Sequence, residues 1–415
     1  MSSQRAVDLV IIGAGAAGLG AARRAGELGL SYNVCEAMDR IGGRAHTDSK
    51  TFGTPWDRGC HWLHSGSVNP FAKLADQYGF HYESTPPVRR SFDGSRWISG
   101  DEQAELEKHV YGDLWGAIER AGKAGKDISA AEVVDMHDPW IAILRTALAG
   151  EWSVDIPDVS TGDDVAYRDT HENWPVREGY GALVARHAEG IPVELSTPVT
   201  KITWDGPGVE VETGAGTISA RAVVITVSTR IIQDDVIQFS PRLPDWKREA
   251  YGAITLGNAN KVSFKIDKNL LGDAHNTAWI RATPDQGMWF QMRAFDRDMA
   301  NGYIAGALGE AAEAEGEAAL IACGREALKS AYGSDIVKAI QVEACTTWQS
   351  EPWIRGAYGA AQPGKAHLRK DLATPIDDRL YFAGESTSLD FFSTCHGAHL
   401  TGIAAVESAA KAVGR

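Results

Sequence analysis

A short apolar run, Val7-Asp8-Leu9-Val10-Ile11-Ile12, leads into Gly13-Ala14-Gly15-Ala16-Ala17-Gly18 and an alanine-rich stretch reaching about Gly29. A second run, Tyr32 to Glu36, follows. This pattern predicts strand, glycine turn, helix and strand, a βαβ unit of about thirty residues. From Asp101 to about Leu148 the text is mostly helical, and Leu106, Val110, Leu114 and Ile118 share one face. Gly-, Pro- and Asp-rich text between Glu151 and Asn173 predicts loops. Short strands are expected at Val193–Leu195, Val209–Glu212 and Val223–Val227. Lys261–Ile266, Ala278–Arg281, Met288–Met292 and Tyr303–Ala307 then alternate strand and turn without helices between them, the mark of an antiparallel sheet. One long helix is expected from about Glu310 to Ser330, and strands at Ala339–Ala344 and Leu380–Ala383. A last helix runs from about His396 to Val413, with Leu400, Ile403, Val406, Ala410 and Val413 as its apolar stripe.

The fold class expected is α/β. A Rossmann-like nucleotide-binding domain is assembled from three segments, 1–75, 177–253 and 346–415. Two insertions, 76–176 and 254–345, build a mixed α+β substrate domain with an antiparallel sheet and a helical part. Ligands of such folds sit at the C-terminal edge of the sheet, where the two domains would meet.

Composition narrows the class. In 415 residues, 44% are apolar and 23% charged, which excludes a disordered tail, a collagen-like rod and a disulfide scaffold. Five scattered cysteines without CxxC pairs point to reduced thiols in a cytoplasm and to no metal site. No apolar run approaches a membrane span. A net charge of −14 without a basic stripe argues against nucleic acid and favours cationic ligands.

The chemistry begins at Gly13-x-Gly15-x-x-Gly18. Gly13 permits the tight turn, Gly15 lets the backbone approach a pyrophosphate, and Gly18 allows close helix packing. The helix start at Ala16 and Ala17 offers amide donors, and Glu36 can hold both ribose hydroxyls of an adenosine. NAD and FAD both satisfy this motif. Arg40-Ile41-Gly42-Gly43-Arg44 adds a second clamp on the same pyrophosphate, as a dinucleotide that never leaves requires.

Glu36-Ala37-Met38-Asp39-Arg40-Ile41-Gly42-Gly43-Arg44 resembles the Glu-Ala-x-Asp-Arg-x-Gly-Gly-Arg signature of the flavin-dependent amine oxidases, the monoamine and polyamine oxidases among them. Further stretches are similar in the same order: Asp57 to His64, Glu178 to Leu183, Pro198 to Ile202, Leu256 to Val262, Trp348 to Tyr358, Phe382 to Glu385 and His396 to Gly402. The resemblance implies FAD, held by Val199 at the adenine, by Trp353, Gly384 and Glu385, and by the turn Thr394-Cys395-His396 at the flavin. Ala357 stands where some monoamine oxidases carry the cysteine that bonds FAD, so the flavin is expected to be noncovalent.

The implied activity is oxidation of a primary or secondary amine by hydride transfer to flavin N5, giving an imine, then aldehyde or ketone, with hydrogen peroxide. The partners are then an amine, a cationic aliphatic one by the charge balance, and dioxygen. Lys261 is similar to the lysine that holds a water at N5 and promotes the reaction with dioxygen. Tyr358 takes the first place of the aromatic cage, and His399 stands at the second, where a tyrosine is usual. Trp62 would wall the site, and His64 would lie on the substrate path. The alternatives are an FAD-dependent dehydrogenase or desaturase of a non-amine, and an amine dehydrogenase with another acceptor. The sequence leaves the amine, the carbon attacked and the oligomeric state open.

Overall fold

The computed structural model describes residues 7–272 and 276–414. The chain begins with β1 (Val7–Ile12), α1 (Ala16–Glu27) and β2 (Tyr32–Cys35). After β3 (Val88–Phe92) come α2 (Ile141–Trp152) and α3 (Thr161–Ala166). Next are β4 (Val199–Thr203), β5 (Val209–Thr213), β6 (Gly216–Ile225) and β7 (Gln238–Ser240). Then follow β8 (Ala259–Lys265), β9 (Asn276–Arg281), β10 (Gly287–Met292) and β11 (Met299–Ala305). The chain continues through α4 (Gly306–Glu315), α5 (Glu317–Tyr332), β12 (Val342–Cys345), β13 (Leu380–Phe382) and α6 (Cys395–Ala412).

Two sheets organise these elements. The first has seven strands in the order β7-β4-β5-β6-β1-β2, with β13 also on β6. The fold is the expected α/β architecture: a Rossmann-like domain built from three chain segments, beside a mixed α+β part with an antiparallel sheet. The long β6 serves twice. Its first half pairs β5 antiparallel, and its second half pairs β1 and β13 in parallel. Valine and isoleucine fill these strands because both faces are covered, as in parallel sheets generally.

The second sheet runs β12-β8-β11-β10-β9-β3. It is antiparallel except at β3, which joins β9 in parallel and for which the sequence pattern offers no element. Its two faces follow the period of two. Val262, Phe264, Met288 and Phe290 pack with Leu320 and Leu328 of α5. On the other face Lys261, Tyr303, Trp289 and Trp279 stand side by side in directly paired positions.

Several expectations are corrected. Val193–Leu195 is not a strand; Glu194 alone bridges to Cys35. The long helix from Glu310 is two helices, parted at Gly316, whose φ of 102° an L side chain rarely adopts. The supposed loop after Glu151 contains α3, started by Ser160, whose hydroxyl accepts from the Asp163 amide at 2.9 Å. Leu400 does not belong to the buried face of α6, being 38% exposed. That face is set by close approach to α1: a Cβ at Gly402 would lie 2.0 Å from the Ala17 carbonyl oxygen. Leu106, Val110, Leu114 and Ile118 are all buried as expected, but the segment Lys108–Trp115 is a π-helix. Its wider turn keeps residues four apart more nearly in line than an α-helix does.

Candidate functional site

One cavity of about 1810 Å³ runs from the end of β1 past the edge of the first sheet to the polar face of the second. This exceeds the roughly 300–1,000 Å³ usual for a single ligand. Its inner end is built by the βα turn. Gly13, at φ 98°, turns the chain, and Gly15 opens α1 with no capping side chain and no acid in the first turn. A Cβ at Gly18 would lie 1.9 Å from the Gly13 carbonyl oxygen, so Gly18 serves helix packing and does not line the cavity. Gly13, Gly15, Ala16, Ala17, Gly42 and Gly43 do line it.

Glu36 lies beside them, accepting from the Ala14 amide at 2.6 Å and the Met38 amide at 2.8 Å. Burial pushes its carboxyl up. Hydroxyl donors entering the cavity would favour the ionised form. Ala37, Val199 and Trp353 also face this end. Arg44 pairs with Glu385 at 3.1 Å and donates to the Ala357 carbonyl. Glu385 in turn accepts from the Gly359 and Ser393 amides at 3.3 and 3.1 Å, joining three turns around the cavity. Gly384, Thr394 and Cys395 complete that wall. An uncapped helix start, a ribose-competent carboxylate and a guanidinium opposite fit a flavin dinucleotide.

The outer end is aromatic. Trp62 lies 5.0 Å from Tyr303, ring to ring, and both line the cavity. Tyr358 donates its hydroxyl to the Gly150 carbonyl, near the end of α2. Lys261 Nζ donates to the carbonyls of Asp57 and Gly59 at 2.6 and 2.7 Å, and burial pulls its pKa down to about 8. Burial acts against the Asp57 carboxylate, but His61, Lys261 and Thr47 outweigh it and hold the group ionised. His64 lines the cavity with Nδ1 2.5 Å from Asn173 Oδ1, and burial favours its neutral ring.

Two residues depart from expectation. His399 does not wall the site. Its ring packs 5.0 Å from Phe71 and 5.4 Å from His187, against Gly20 of α1. Cys395 and Ala398 carry the cavity-facing edge of α6, and His399 lies about 100° round the helix from Ala398. Burial brings its pKa to about 4, so it stays neutral. His396 likewise turns away, its Nδ1 3.2 Å from Asn69 Nδ2, its ring 4.7 Å from Phe391 and its pKa brought by burial to about 3.

The structure adds residues that the sequence reading passed over: Tyr303, Trp289 and Gln291 from the second sheet, and Tyr111, Trp115, Glu151 and Asp164 from the helical part. The sheet residues carried a signal, because they share the parity of Lys261 across paired strands. Asp164 accepts from the Trp115 indole at 3.1 Å, and burial raises its pKa from 3.8 to about 7, with Glu119 and Asp163 adding to the rise. Asp164→Asn keeps an oxygen for the indole and removes the charge. The folded carboxyl binds its proton more tightly than the unfolded one, so wild-type stability falls as pH rises from about 4 to 7. The variant should therefore be more stable than wild type by about 4 kcal/mol at pH 8, and equal to it below about pH 4, in denaturant melts.

Comparison with known proteins agrees with this geometry. The sequence profile of the flavin containing amine oxidoreductases matches residues 16–115 and 125–410. The chain is similar to polyamine oxidase 4 of Oryza sativa subsp. japonica, 27% identical over 98% of this chain and 89% of that protein. It is also similar to polyamine oxidase 2 of Arabidopsis thaliana, 28% identical over 97% and 88%. Lysine-specific histone demethylase 2 of Homo sapiens is 26% identical over 95% of this chain but 52% of its own length. Among solved structures, cyclohexylamine oxidase from Brevibacterium oxydans superposes with a TM-score of 0.81 at 19% identity, covering 99% of this chain and 100% of that one.

Proposed function

Because the chain belongs to the flavin-containing amine oxidoreductases, with noncovalent FAD as cofactor, we propose that it oxidises a cationic aliphatic mono- or polyamine at a primary or secondary nitrogen, with dioxygen as acceptor. The observation that carries this reading is the continuity of one cavity from the uncapped start of α1 to the aromatic chamber holding Lys261 and Tyr358.

A bound flavin supplies a hydride acceptor at N5 for the carbon beside the amine nitrogen, and water hydrolyses the imine product to an aldehyde or ketone. The residues of this chain do the rest. Arg44, Gly42, Gly43 and the first amides of α1 would hold the pyrophosphate, and Glu36 the ribose. Trp62, Tyr303 and Tyr358 exclude water from the amine. Desolvation among them lowers the amine pKa and frees the lone pair without a dedicated base. The ammonium of Lys261, fixed by two backbone carbonyls, brings positive charge to the chamber where dioxygen is reduced.

Anaerobic mixing of the yellow protein with mono-, di- and polyamines, followed at the oxidised-flavin absorbance, tests the proposal. The expected result is bleaching by one amine class and recovery with hydrogen peroxide when air is admitted. Bleaching without recovery assigns an amine dehydrogenase with another acceptor. No bleaching by any amine overturns the proposal in favour of a non-amine substrate.

A further inference from the structure

Among the acids that line the cavity, Glu151 is set apart by its surroundings. Asp164 accepts from Trp115, Asp169 pairs with His171 at 3.0 Å, Glu119 pairs with Lys123 at 2.5 Å, and Glu172 accepts from Ser67 and Thr170 at 3.0 and 2.8 Å. The Glu151 carboxylate has no hydrogen bond or ion pair among the described residues. It is the next-to-last residue of α2, and with Ala147 and Gly150 it forms the helix face turned to the cavity. Gly150 is the residue whose carbonyl grips the Tyr358 hydroxyl. The free carboxyl therefore stands beside the wall of the reaction chamber.

We propose that Glu151 anchors a second cationic centre of the substrate, so that diamines and polyamines are selected over monoamines of equal length. This rests on the amine-oxidising reading above and names what the site selects. An unpaired carboxylate taken out of water is costly until a cation joins it. Tyr111, Trp115, Trp152 and Tyr167 line the same cavity, and aromatic rings attract an ammonium. The carbonyl end of α2 adds negative potential at the same place. Burial, with Asp169 and Asp164 nearby, raises the Glu151 pKa to about 7, and an arriving ammonium draws the group back to its ionised form. His64, which lines the same cavity and which burial favours in its neutral form, does not oppose that cation.

The test compares kcat/KM for a series of n-alkylamines with the α,ω-diamines of matching length, in wild type and in Glu151→Gln and Glu151→Asp. Wild type should prefer the diamines. Glu151→Gln should reduce the diamine-to-monoamine ratio about 30-fold, a typical value for a hydrogen-bonded charge, with the change in KM because the far nitrogen does not react. Glu151→Asp should recover part of the ratio. A wild type without diamine preference, or a ratio unmoved by Glu151→Gln, overturns the anchor. Failure of the amine-oxidising reading is distinct: neither series would bleach the flavin.

Discussion

Lys261→Met is expected to give a yellow protein that its amine still bleaches without air, but that regains oxidised colour in air about a hundredfold more slowly. The position of the ammonium is the reason. Lys261 stands on β8 in the row with Tyr303 and Trp289, on the cavity face of the second sheet. Its two partners are the backbone carbonyls of Asp57 and Gly59, so no carboxylate cancels its charge directly. The Asp57 segment is itself fixed, its carboxylate accepting from Thr47 at 2.5 Å and from the amides of Tyr180 and Gly181 at 3.1 and 3.2 Å. Methionine matches the lysine stem and removes only the charge and its two bonds. With a pKa of about 8, the lysine loses its proton as pH climbs through that value. Wild-type reoxidation should then slow above about pH 8, while the variant stays flat there. Stopped-flow reoxidation of the reduced protein measures both effects, and equal rates in the two proteins would remove Lys261 from the oxygen step.

Arg369→Met is expected to destabilise the fold by about 3–5 kcal/mol and to loosen its hold on flavin. Arg369 and Asp163 form a two-pronged pair, Nη2–Oδ2 2.6 Å and Nε–Oδ1 3.0 Å, with side chains 3% and 5% exposed. The guanidinium lies 3.7 Å from the Phe392 ring centre and donates to the Ser386 carbonyl at 3.0 Å, while Asp163 Oδ2 accepts from the Ala361 amide at 2.9 Å. The pair thus ties α3 to the turn that follows Glu385. Removing the guanidinium alone leaves an ionised carboxylate buried without its partner, which is the expensive outcome. Replacing both residues, Asp163→Ala with Arg369→Met, should recover more than half of the loss. Denaturant melts and flavin release on dilution report the two quantities.

The parts of the molecule visible in the sequence are those whose chemistry is local. The glycine turn, the helix behind it and Glu36 lie within one βαβ unit, and each has a single-residue reason to be there. The helical spacing of Leu106 to Ile118 was visible too, although it cannot tell an α turn from a π turn. His399 shows the limit. Its place in a motif fixes the helix that carries it, but the roll of α6 depends on Gly402 meeting Ala17 and on Gly20 receiving the His399 ring. Those contacts join residues about 380 positions apart. Glu151 was hidden for a similar reason: its chemistry is the absence of a partner, a property of the whole cavity and of no short stretch of text. The break at Gly316 shows in the sequence only as one of two glycines in an alanine- and glutamate-rich run, the other, Gly324, lying inside α5.

The route of the chain through the first sheet has a consequence for biosynthesis. β6 must find β1 across two hundred residues, and β13, its other parallel neighbour, follows only after the whole second sheet has been made. Until residues 380–382 and α6 emerge, α1 lacks its main packing partner and Arg44 lacks Glu385. At about 5–20 residues per second, the early βαβ unit waits on the order of 20–80 seconds with an uncovered flank. Flavin loading should therefore wait for residues 380–412 to join the early βαβ unit, and free FAD should matter most at that late stage.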